Sequence, residues 1–313
     1  MRTFTLALLL ALSLALPACT TRSGPRPSGG IDGGGTVELD SGATPFEDAA
    51  IVRNDTGMRP SGDCTESARW IYLVDSGNAL LRFEPDSGTL TPIGTLSCPS
   101  GGATPFSMAV DRSATAFVLH SDHRIYQVST ADASCTATTF VPNQVGFELF
   151  GMGFVSDSEG STLEHLFIAG GPEAGIGGGS ATLGRIDFPA WSVASIGPVT
   201  GSPELTGTGT GELWGFFPDS TPMSVREIAK SSGATLREID VSAVDSSGFG
   251  LASAWAFAFW GGRFYMFYQG ALDSSSGIYR VTPDTGVVET VRMNIGYRIV
   301  GAGVSTCAPT ILI

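Results

Sequence analysis

Leu80-Leu81-Arg82-Phe83-Glu84-Pro85-Asp86-Ser87-Gly88-Thr89-Leu90 spells out a β-hairpin. An apolar-rich run leads into Pro-Asp-Ser-Gly, and a second β-like run follows. Pro presets φ, Asp bonds to the following backbone, and Gly takes the φ > 0 position of a bulged hairpin. The pattern returns as Gly277-Ile278-Tyr279-Arg280-Val281-Thr282-Pro283-Asp284-Thr285-Gly286-Val287-Val288. Looser copies are Arg124-Ile125-Tyr126-Gln127-Val128-Ser129, Leu183-Gly184-Arg185-Ile186-Asp187-Phe188, and Val225-Arg226-Glu227-Ile228-Ala229-Lys230 before Ser231-Ser232-Gly233. The anchors Leu81, Ile125, Leu183, Val225 and Ile278 stand 44, 58, 42 and 53 residues apart.

That period fits a four-stranded propeller blade with loop insertions in some copies. Each anchor follows another β-like run, such as Trp70-Ile71-Tyr72-Leu73-Val74 or Arg263-Phe264-Tyr265-Met266-Phe267-Tyr268. Four of these runs are preceded by apolar, small-residue segments: Phe106 to Val110, Phe150 to Val155, Leu205 to Gly209, and Ala254 to Phe259. Small residues suit the crowded inner strands around a propeller axis. The first unit lacks such a segment, and the last leaves one over, Tyr297 to Val304. Circular closure solves both: the C-terminal strand becomes the inner strand of the first blade. The expectation is an all-β, five-bladed β-propeller spanning residues 63–313. Its architecture resembles the propeller domains of exported bacterial proteins. The hairpins also resemble quinone-cofactor dehydrogenase repeats. The Trp-docking pattern of those repeats does not follow Gly88, Gly233 or Gly286, so no cofactor is expected.

The N-terminus differs in kind. Arg2 precedes an apolar run from Phe4 to Leu16, broken by Thr5 and Ser13. It is shorter than the roughly 20 residues of a membrane-spanning helix and fits the h-region of a signal peptide. The tetrad Leu16-Pro17-Ala18-Cys19 that follows resembles the lipobox of bacterial lipoproteins, with Pro17 where a small residue is usual. The resemblance implies a signal peptide over residues 1–18, a diacylglyceryl group on Cys19, and attachment to a membrane of the bacterial cell envelope. Residues 19–62, with Ser23-Gly24-Pro25-Arg26-Pro27-Ser28-Gly29-Gly30 and Gly33-Gly34-Gly35, cannot build a core. They read as a flexible tether with a reach of roughly 35 Å.

With Cys19 reserved for lipid, Cys64, Cys98, Cys135 and Cys307 remain. Four cysteines allow three pairings, and closure selects among them. Cys307 follows the closing inner strand and Cys64 precedes the strand beside it, so Cys64 pairs with Cys307 and Cys98 with Cys135. The net charge of −13 argues against nucleic acid, whose phosphates need a basic face.

No catalytic constellation stands out. His120-Ser121-Asp122-His123 lies in a turn read as solvent-facing, with no third ligand nearby, so no metal is expected. His165 opens a strand and is expected to face solvent. Gly175-Ile176-Gly177-Gly178-Gly179-Ser180 falls in a long loop, Ala169 to Ser180, with no helix to bind phosphate. Inward acids could serve a propeller glycosidase. The candidates are Asp75, Asp111, Glu148, Asp157, Glu204 and Asp273, most of them in contexts where Asp stabilises a turn. Tyr297 and Arg298 open the closing strand at the axial mouth. With Trp214 and Trp255 they are the expected ligand contacts. The resulting expectation is a lipid-anchored binding or interaction module for a protein, peptide or glycan. The alternatives are a carbohydrate-active hydrolase or lyase with axial carboxylates, and a structural envelope protein.

Overall fold

A computed structural model of the chain describes residues 59–60, 64–172, 179–245 and 251–311. The signal peptide, Cys19 and all of the tether except Arg59–Pro60 lie outside the described residues. Among the described residues helix is confined to short 3-10 turns, and no described helix is long and apolar enough to cross a membrane.

The strands run in chain order as β1 (Arg59–Pro60), β2 (Ile71–Asp75), β3 (Ala79–Glu84), β4 (Thr89–Thr95), β5 (Pro105–Val110), β6 (Thr115–His120), β7 (Ile125–Ser129), β8 (Cys135–Ala137), β9 (Leu149–Ser156), β10 (Leu163–Gly171), β11 (Ser180–Asp187), β12 (Ser192–Thr200), β13 (Glu204–Gly207), β14 (Leu213–Phe217), β15 (Ser224–Ile228), β16 (Thr235–Asp240), β17 (Ala252–Trp260), β18 (Arg263–Gly270), β19 (Gly277–Val281), β20 (Val288–Arg292) and β21 (Ile299–Val304). They form five antiparallel blades of four: β21-β2-β3-β4, β5 to β8, β9 to β12, β13 to β16, and β17 to β20. The chain is therefore a five-bladed β-propeller. The two-residue β1 adds to the third blade, with Arg59 opposite Glu164.

The last strand closes the ring. β21 pairs with β2, with Val304 opposite Ile71 and Ala302 opposite Leu73. Both disulfides form. Cys64–Cys307 ties the entry of the first blade to the exit of the closing strand at a Cα separation of 5.7 Å, and Cys98–Cys135 links blades one and two at 4.9 Å. Across the closing seam, Phe83 of blade one meets Tyr265 and Phe267 of blade five edge-on, with ring centroids 5.8 and 5.6 Å apart. Such pairs add about 0.5–1.5 kcal/mol each beyond the area they bury.

The repeated turns adopt the geometry their residues call for. Gly88, Gly233 and Gly286 all have positive φ, at 67°, 79° and 66°. Each donates its N–H to the carbonyl four residues earlier, on Glu84, Ala229 and Thr282. The inner strands approach closely because glycine lines them. A Cβ on Gly151 would lie 2.2 Å from the Pro203 carbonyl oxygen of the next blade, and one on Gly207 would lie 2.1 Å from that of Phe154.

One expectation needs correction. The stretch read as a loop from Ala169 to Ser180 is partly strand: β10 continues to Gly171 and β11 begins at Ser180. Gly170 and Gly171 pair with Phe150 and Leu149. A Cβ at Gly170 would lie 2.1 Å from the Leu149 oxygen, so here glycine marks backbone proximity, not a loop.

Candidate functional site

Strand alternation sorts the connections by face. Every inner strand starts at one end of the ring. The turn joining second to third strands, and the passage from outer strand to next blade, lie at that same end. We term it the mouth face. At its centre is a cavity lined by Phe106, Phe150, Gly151, Gly170, Glu204 and Trp255, among others. About 40 Å³ is open to the centre of a water molecule, room for about three waters. That is well below the 300 Å³ or more of a drug-sized site.

Glu204 begins β13 and is 3% exposed. Its Oε2 accepts a hydrogen bond from the Ser107 hydroxyl at 2.8 Å, contributed by β5 of a different blade. No donor to Oε1 is seen among the described residues. Burial pushes this carboxyl well above the usual carboxylate range, and the Ser107 hydrogen bond only partly offsets it. Among the described residues Glu204 is the one titratable group lining the cavity.

The opposite end of the axis holds a second buried acid. Glu164 on β10 is fully buried. Its Oε1 accepts the Arg112 backbone N–H at 3.0 Å, and its Oε2 accepts the Thr306 hydroxyl at 2.9 Å. Arg112 Nη1 also donates to Thr306 Oγ1 at 3.2 Å. Glu164 thus joins blades two and three to the segment that follows the closing strand. Desolvation pushes its carboxyl up to about 7, against the opposing effect of those two donors.

No family model matches the chain, and no curated protein matches it. A chain in the crystal structure of a nidogen/laminin complex is similar over 78% of this chain and 82% of its own length, at 14% identity and a TM-score of 0.46. At that distance nothing about ligand or partner transfers.

The structure separates the residues singled out in the sequence. Trp255, half-buried, lines the cavity beside Glu204. Tyr297 and Arg298 sit on the mouth face outside the lining. Tyr297 packs against the core of the closing seam, and exposed Arg298 donates to the Ser253 carbonyl at 2.5 Å. Trp214 is 3% exposed and packs on Phe264 at 4.7 Å between blades four and five, away from the cavity. Asp75 accepts the N–H groups of Gly77 and Ala79, Asp111 those of Ser113 and Thr115, and Asp273 that of Gly270; all three hold turns. Glu148 precedes β9 at the rim, and Asp157 is on the opposite face, 3.8 Å from His165.

Two histidine expectations are overturned. His165 is 8% exposed and His120 is fully buried. His120 Nδ1 lies 3.1 Å from the Ala103 carbonyl, and its ring packs against Tyr126 at 4.7 Å. Burial lowers both imidazoles from their ordinary value. His123 Nδ1 pairs with Asn143 Oδ1 and Asp122 accepts from Tyr126, so the segment is held by its own partners. No group of three metal-ligating side chains occurs among the described residues. Sequence reasoning missed Ser107, Phe106, Phe150 and Glu164. The one available signal was Ser107, a lone hydroxyl in the apolar inner strand Pro105–Val110.

Proposed function

We propose that the protein is a lipid-anchored envelope module that binds a protein partner across its mouth face. Propellers commonly serve binding and interaction, and the side chains of this one point to where. Of the eight exposed large apolar residues described, five lie on mouth-face connections: Val141, Val145, Leu251, Leu272 and Met293, at 42–76% exposure. A partner that spans this face would cover them. The central cavity is too small to enclose a sugar ring.

The tetrad Leu16-Pro17-Ala18-Cys19 supports the anchor, and the Gly/Pro/Ser-rich segment after it supports a leash. Labelling with an alkyne fatty acid tests this: the full chain takes the label and the Cys19→Ser chain does not. Partner binding is tested by capture from envelope extract, comparing the full chain with a Leu251→Asp, Leu272→Asp, Met293→Asp variant. Loss of the same partner in the variant supports the reading. Equal capture contradicts it, and binding to a glycan array in place of protein would reassign the ligand.

A further inference from the structure

The cavity at the centre of the mouth has its own chemistry, which bears on what the partner presents there. The following inference rests on the mouth-face reading above. Three observations converge. Glu204 is buried, and its Oε1 has no donor among the described residues, although Oε2 is held by Ser107. Phe106, Phe150 and Trp255 are among the residues that line the cavity with Glu204. The free space, room for about three waters, admits an ammonium group.

The rim adds a field of the same sense. Mouth-face connections carry Asp75, Asp122, Glu148, Asp219, Asp245 and Asp273, against Arg124 and Arg298. Several of these acids are tied to turn amides. An acidic rim around a cavity lined by a carboxyl draws in cations and repels anions.

We propose that the axial cavity takes a primary ammonium group, presented as a lysine side-chain tip or a free amino terminus, against Oε1 of Glu204. Burial keeps the empty site's carboxyl protonated. When the ammonium arrives, that proton passes to the buffer and a carboxylate–ammonium pair replaces the neutral acid.

Calorimetry on the full chain in detergent tests this with n-butylammonium chloride as probe. 1-Butanol is the neutral match in size. The ammonium is expected to bind at least tenfold more tightly than the alcohol, with one proton released per site, seen by repeating the titration in buffers of different ionisation enthalpy. Glu204→Gln should lose at least tenfold in ammonium affinity; if that variant does not fold, the ammonium–alcohol comparison on the natural chain decides. Nα-acetyl-lysine amide and alanine amide then distinguish the side-chain source from the amino-terminal source. Equal binding of alcohol and ammonium would overturn the proposal. So would displacement of the ammonium by equimolar sodium or calcium, or no binding at all. No ammonium binding with a captured partner that depends on Leu251, Leu272 and Met293 would overturn this inference alone and leave the module reading intact.

Discussion

Glu164→Gln is expected to stabilise the protein at alkaline pH and to leave it nearly unchanged in acid. The carboxyl is fully buried and titrates at about 7, against an ordinary value of 4.5. Between those values the native state keeps a proton that the unfolded chain has lost. Stability therefore falls as pH rises through that window, by about 3 kcal/mol in total. Glutamine mimics the protonated acid: its Oε1 can accept the Arg112 N–H, and its amide can donate to Thr306 Oγ1. Glu204 shifts in the same direction and the buried histidines in the opposite one, so the comparison must be between variant and natural chain at each pH. Denaturant unfolding followed by fluorescence at pH 4.5, 6, 7 and 8.5 measures it. The two chains should match near pH 4.5, and the variant should lead by about 3 kcal/mol at pH 8.5. Parallel curves, or a variant weaker at pH 8.5, would refute the burial argument.

Opening Cys64–Cys307, which spans 243 residues, with paired Ser substitutions should cost about 5.5 kcal/mol on the chain-entropy model. The same change at Cys98–Cys135, spanning 37, should cost about 4; urea melts of the two variants rank them, and the reverse order would contradict closure. Gly151→Ala puts a methyl 2.2 Å from the Pro203 carbonyl and 2.8 Å from the Glu204 Cα. It should cost about 1–3 kcal/mol and weaken n-butylammonium binding, whereas a melt unchanged from the natural chain would place the inner strands farther apart. Gly233→Ala should destabilise more than Gly286→Ala in thermal melts. Both have positive φ, but the first adds a contact of 2.6 Å to the Pro198 oxygen and the second only an ordinary 3.7 Å contact to Ile239.

The ring was legible because its signals are local. The Pro-Asp-Ser/Thr-Gly turns fix their own φ, the small-residue strands recur at blade length, and the orphan strand before Val304 has one place to go. Burial set by tertiary packing was not local. His165 reads as the polar start of a strand, and only the packing of blade three shows it covered. Glu164, beside it, looked equally exposed. Glu204 was one of six acids of equal standing in sequence. What sets it apart is Ser107, 97 residues away, brought to the axis by closure of the ring. Trp214 and Trp255 both sit on strands. The first falls between blades and the second at the mouth, a difference that depends on position along the strand relative to the axis.

Everything above depends on the last strand closing the first blade. Proteolysis of the unreduced full chain followed by mass spectrometry of the linked peptides tests that directly. The account predicts one peptide pair joining Cys64 to Cys307 and another joining Cys98 to Cys135. A Cys64–Cys98 or Cys64–Cys135 link would contradict the closed ring and with it the axial mouth.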